Sequence, residues 1–177
     1  MLDLEQLKYP IGKVIIPEII NDQLIQEYIA VIETFPKNVS KEIEGLTANE
    51  LLFRYRPEGW SIQQVVNHCI DSHMNSVTRF KLALTENNPT IRPYEEQLWA
   101  ELPDTIDYNM GKALILLESV HDRWSFLLHK MTEEDFNRTF IHPDGNEQIS
   151  LKENLCIYAW HCEHHLQHII NAKKFQY

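Results

Sequence analysis

Four histidines fall within eight positions of this chain, at His161, His164, His165 and His168, and the whole sequence of 177 residues holds nine. On an α-helix, residues four apart stand one above the other, so His161 and His165 can reach one ion at about 2.0–2.1 Å per bond. The same geometry turns His164 away from the pair, toward an expected place at the surface. His168, seven residues after His161, is expected either to support the pair or to lie at the surface. An HxxxH pair also arises by chance in a histidine-rich helix, so a metal site needs a third ligand from elsewhere in the chain. His68 is the best candidate. It flanks an apolar stripe through Val65 and Cys69, as His161 and His165 flank theirs through Tyr158 and Cys162.

Three imidazoles plus an open position make a catalytic type of site, whereas structural zinc normally closes its shell with four protein ligands. The expected metal centre is therefore His68, His161 and His165, with chemistry on a bound water or substrate. Glu163 lies across the helix from the pair, so the segment is not the HExxH of zinc proteases, and no general acid or base is assigned by motif. Asp71, one turn after His68, either orients that imidazole or belongs to a solvated face. Cys69, Cys156 and Cys162 are odd in number and lie in helical segments, which reads as small core residues rather than a disulfide framework.

Four amphipathic segments must position these groups. Residues 22 to 46 carry Ile25, Tyr28, Ile29, Ile32, Val39, Ile43 and Leu46 at three-and-four spacing, with a kink or break expected at Pro36. A second helix starts at the capping box Ser61–Gln64 and runs to about residue 86 through Val65, Val66, Cys69, Ile70, Val77, Phe80 and Leu84. Residues 87 to 104 hold three prolines and are long for a helix connection, so they are expected to wrap the surface or line a site. In that loop Arg92 and Tyr94 either recognise an anionic group or form a wrap anchored by Tyr94 and Trp99. The third helix spans about 107 to 131 with Asp107 as its N-cap. The fourth starts at the capping box Ser150–Glu153 and ends near Lys173 and Lys174. No alternation of strand length recurs. The fold class is therefore all-α, a four-helix bundle with short extra helices and a long loop between helices two and three. Thr47–Glu50 and Thr132–Asp135 each open a short turn ahead of a capped, histidine-bearing helix, which suggests an internal duplication.

At 177 residues, with 44% apolar and 24% charged residues, the composition is that of a folded chain and of one domain over 1–177. A net charge of −10 argues against nucleic acid as a partner. The absence of an 18-residue apolar run, and of a signal-peptide pattern at the start, gives the expectation of no membrane span and a cytoplasmic protein.

The chain resembles the DinB-like superfamily, and within it the YfiT-type metal-dependent hydrolases related to bacillithiol transferases. The resemblance is carried by Tyr9-Pro10-Ile11-Gly12, by Asp71 to Ser76 with Arg79 to Leu82, by Ile91-Arg92-Pro93-Tyr94, and by Tyr158-Ala159-Trp160-His161 through His168-Ile169. It implies a four-helix bundle whose ion is held by one histidine of helix two and an HxxxH pair of helix four, again His68, His161 and His165. It further implies one divalent metal per chain, zinc or nickel, a small-molecule substrate and a cytoplasmic homodimer. Asn67 stands where close relatives can carry a second adjacent histidine. Hydrolysis by an activated water is the leading expectation. Transfer to a low-molecular-weight thiol is the alternative use of the same ion, and a non-catalytic metal- or ligand-binding module is the reading from a different class.

Overall fold

The computed structural model describes residues 3–177, and its helices begin where side chains can cap them. Asn21 accepts the Leu24 amide to start α2 (Asp22–Ile43). Ser61 and Gln64 form the capping box of α3 (Ile62–Thr85), and Ser150 and Glu153 that of α8 (Leu151–Phe175). Each cap satisfies amides that a helix start would otherwise leave bare. Asn109, not Asp107, caps α6 (Met110–Leu128). Asp107 is taken up by the end of a preceding short helix, α5 (Pro103–Ile106), which follows another, α4 (Glu96–Trp99). An N-terminal helix, α1 (Leu4–Lys8), and a capped turn, α7 (Glu133–Phe136), complete the helical set.

Pro36 does not break the first long helix. α2 continues through it and ends at Ile43, with Leu46 outside the helix but packed against the core. The buried stripe of α2, Ile25, Ile29, Ile32, Phe35, Val39 and Ile43, faces the other long helices. Each such side chain contributes about 1.5–3 kcal/mol of burial, so the stripe holds the helix despite the proline. Around the bundle α2 packs on α8 and α6, and α3 packs on the same two. Helices that follow one another, α2 to α3 and α6 to α8, thus sit on diagonals, while α3 and α8 share a seam.

A two-stranded hairpin, β1 (Thr139–His142) and β2 (Glu147–Ser150), stands beside the expected helical bundle and was not among the elements read from the sequence. It pairs antiparallel from Thr139↔Ser150 to His142↔Glu147, turning at Gly145 with φ of +82°, a conformation suited to glycine. Its last residue is the cap Ser150, and the Leu151 amide donates to the Arg138 carbonyl at 2.9 Å. Ahead of α3, an antiparallel bridge of Arg54 with Ser61 does the same, the Ile62 amide donating to Phe53 at 3.0 Å. Thr47–Glu50 and Thr132–Asp135 hydrogen bonds precede the two arrangements. The two halves therefore repeat the order helix, capped turn, antiparallel pair, capped histidine helix.

The 87–104 segment wraps α3. Gln64 donates to the Ala100 carbonyl at 2.9 Å and, just past the segment, Asn67 donates to that of Thr105 at 3.1 Å. The Ile91 amide donates to the Ile141 carbonyl at 3.0 Å, tying the segment to the hairpin. No helix among the described residues is long and apolar enough to cross a membrane.

Candidate metal centre

The seam of α3 and α8 brings His68, His161 and His165 together, with one possible ligand atom from each lying within 4.8 Å of the others. His68 Nε2 stands 3.2 Å from His161 Nε2. The His165 ring lies 4.3 Å from that of His161 and 4.8 Å from that of His68, centroid to centroid. Trp60 closes one side, 4.6 Å from the His68 ring. His68 and His165 are buried, whereas His161 is partly open to solvent.

Burial decides the charge of this cluster. It pushes the His68 imidazole down to about 4, with a smaller contribution from His164. Burial, followed by neighbouring histidines, holds His161 and His165 well below the usual histidine range. Neutral imidazoles offer lone pairs rather than positive charge. Two ligands on a tetrahedral ion at the usual bond length stand roughly 3.3 Å apart, so the 3.2 Å separation of two Nε2 atoms suits a shared cation. The donor set and its spacing fit a borderline transition metal.

Two other groupings come as close: Cys69, His73 and His161, and His164, His165 and His168. In the first, burial pushes the Cys69 thiol up, which disfavours the thiolate a metal needs. His73 has both ring nitrogens engaged, Nδ1 with His121 Nε2 at 2.7 Å and Nε2 with His161 Nδ1 at 3.0 Å. In the second, all three residues are buried, and His168 is committed to the Lys8 carbonyl at 3.1 Å and to His165 Nδ1 at 3.4 Å. Of the three groupings, the trio expected from sequence is the one that joins two helices with imidazoles alone.

His164 is not exposed as expected. It is 6% accessible, stacked on Trp160 at 4.4 Å, with Nδ1 lacking a hydrogen-bond partner among the described residues. The reason is the N-terminal segment, which a helical wheel ignores: Trp160 donates to the Gly12 carbonyl at 3.1 Å and Tyr9 lies 6.0 Å from the His164 ring. His168 is buried, with Nδ1 3.4 Å from His165 Nδ1 and its ring stacked on Tyr55 at 3.8 Å. Glu163 faces outward. Asp71 makes no hydrogen bond to His68 among the described residues, so it does not orient that imidazole. Burial and the Asp104 carboxylate raise Asp71 to about 6. The three cysteines are free and buried.

His121 escaped the sequence reading and His73 entered it only within the Asp71–Ser76 motif, although each interrupts an apolar stripe: His73 four residues after Cys69, His121 four after Leu117. Around His161 stand the Ser72 hydroxyl, 3.5 Å from Nε2, and the Tyr158 hydroxyl, which donates to the Ser72 carbonyl at 3.2 Å. Arg79 approaches that hydroxyl at 3.4 Å. Arg92 and Tyr94 line an open groove of about 940 Å³ with Asn75, Trp99 and Leu102, and none of the three histidines lines it. Tyr94 packs on Trp99 at 4.5 Å, the wrap that the sequence offered as one of two options.

Comparison with known proteins agrees with this architecture. YfiT from Bacillus subtilis, described as a probable metal-dependent hydrolase with an unusual four-helix bundle topology, superposes with a TM-score of 0.92 at 42% identity, covering 96% of this chain and 97% of that one. A Bacillus cereus protein named "Putative metal-dependent hydrolase" is 45% identical over 171 residues, 97% of this chain and 98% of its own length. A Bacillus thuringiensis protein of the same name is 44% identical over the same share of each chain. The family model of the DinB superfamily matches residues 32–169, and with that match and these relatives the chain belongs to the DinB superfamily.

Proposed function

We propose that the protein is a metal-dependent hydrolase in which His68, His161 and His165 hold one divalent transition metal, zinc or nickel, and leave a position open for water. The observation that carries this reading is the pair of neutral Nε2 atoms 3.2 Å apart, joined by a third imidazole, in a seam where His161 reaches solvent. A metal so held would lower the pKa of bound water to about 7. The protein's own part is to keep the three imidazoles neutral, to exclude water on the Trp60 side, and to set the Ser72 and Tyr158 hydroxyls beside the open position. Arg79 sets a positive charge 3.4 Å from the Tyr158 hydroxyl, where it can attract an anionic group.

The same centre supports a second reading, transfer to a low-molecular-weight thiol. It is favoured by the lack of a carboxylate hydrogen-bonded to any of the three histidines among the described residues, since a metal-bound thiol is deprotonated without a separate base. The substrate is a small molecule in both readings, and a cytoplasmic homodimer of single-domain chains is the setting that goes with them. Turnover of a panel of ester, amide and electrophile-plus-thiol substrates tests the proposal. Activity should vanish on chelation, return with zinc or nickel, and be absent in His161→Ala while that variant keeps its helical circular dichroism. Equal activity with and without chelator would refute a metal-dependent reaction. Loss of fold together with metal would instead point to a structural ion.

A further inference from the structure

Pro36 has no N–H, so the carbonyl four residues earlier, that of Ile32, lacks its helical donor. His121 supplies one, its Nδ1 lying 2.6 Å from the Ile32 oxygen. A carbonyl only accepts, so this nitrogen carries the proton. A neutral imidazole has one N–H, which makes His121 Nε2 an acceptor for His73 Nδ1 at 2.7 Å. His73 Nε2 is then an acceptor in turn, for His161 Nδ1 at 3.0 Å. A second potential donor, the Cys162 thiol, approaches the same nitrogen at 3.9 Å. Every proton points back toward Ile32, and His161 is left with its lone pair on Nε2.

An independent chain reaches the other histidine of the pair. The Lys8 carbonyl closes α1, where helical acceptors lack donors. It accepts from His168 Nε2 at 3.1 Å, and His168 Nδ1 faces His165 Nδ1 at 3.4 Å. The same logic puts the proton on His165 Nδ1 and the lone pair on Nε2.

We propose that these two chains are positioning devices: Pro36, His121 and His73 hold His161, and His168 with the Lys8 carbonyl holds His165, each as the Nδ1–H tautomer that presents Nε2 to the metal. This rests on the reading of the seam as a metal centre. Its physical value is that neither ligand must turn or exchange a proton before binding, and outer partners of ligating histidines commonly matter for affinity. Burial supports the neutrality that the first chain requires, lowering His121 to about 4.

The test begins with the full chain, metal-free and ¹⁵N-labelled at histidine, in long-range ¹H–¹⁵N correlation spectra at neutral pH. The expected tautomers are Nδ1–H for His121, His73, His161 and His165, and Nε2–H for His168. An Nε2–H tautomer at His161 or His165 would overturn the proposal. Zinc affinity is then measured by chelator competition. His73→Leu should weaken it about 10- to 100-fold, whereas His73→Gln, which keeps an acceptor toward His161, should restore most of it. Pro36→Ala gives the Ile32 carbonyl its helical donor without touching the site, and should weaken zinc binding while raising thermal stability. Unchanged zinc affinity in both His73→Leu and Pro36→Ala would overturn the positioning role. Wild type that binds no zinc but has the expected tautomers would overturn the metal centre alone.

Discussion

The α3–α8 seam and the outer surface of the bundle treat the same side chain in opposite ways. On the surface, His129 lies 3.5 Å from Glu33 and His142 lies 3.9 Å from Asp144, each beside a carboxylate. In and beside the seam, seven histidines, His68, His73, His121, His161, His164, His165 and His168, meet one another and backbone carbonyls instead. All seven are pushed downward from the ordinary histidine value, with burial the largest cause in each. The contrast teaches that position, not number, gives these histidines their chemistry: buried among other imidazoles and away from acid, they offer lone pairs.

The largest consequence is on stability against pH in the metal-free protein. A histidine lowered in the folded state leaves stability intact above its unfolded value of about 6.5. As pH falls below that, the unfolded chain takes up protons that the fold refuses, and stability drops by up to about 1.4 kcal/mol per pH unit for each such group until its folded value is reached. For His68 and His121 that window runs from about 6.5 to about 4. Urea unfolding from pH 7.5 to 5 should therefore lose several kcal/mol, a slope shared by two or more groups. A flat profile would mean that the seam is already protonated or hydrated, and the contrast would fail.

A smaller effect is expected where the hairpin hands the chain to α8. Ser150→Ala removes a cap that accepts the Glu153 amide, and should cost about 1 kcal/mol. It should also weaken metal binding less than loss of any imidazole of the trio. The smallest effect belongs to the surface: His129→Gln or His142→Gln should move stability at neutral pH by no more than about 0.5 kcal/mol. A large effect of either would place these residues with the seam and blur the comparison.

What could be read from the sequence follows from the range of the forces involved. Helix starts at Ser61 and Ser150 were legible because a capping box is a local signature, and the apolar spacing of the four long helices identified the bundle. The HxxxH pair and His68 were legible as a set because helical period places them on facing stripes, and the fold does bring the three together. The hairpin was not, since strands of four residues give too short an alternation to distinguish from a loop. A kink or break at Pro36 was expected from a local rule; the helix does not break, and the freed carbonyl found its donor in His121, 89 residues away in sequence. His164 was misplaced for a similar reason, because the segment that covers it comes from residues 9 to 12, far from α8 in the chain. Asp107 lost the cap to Asn109 because a short helix, α5, ends on it.

The most direct test of the metal centre is elemental analysis of tag-free protein, comparing wild type with His68→Ala and His161→Ala. About one zinc or nickel ion per chain is expected in wild type, lost in both variants while the helical fold persists. Wild type that carries no metal and takes up none on addition would contradict it and leave the seam as a row of neutral histidines without an ion.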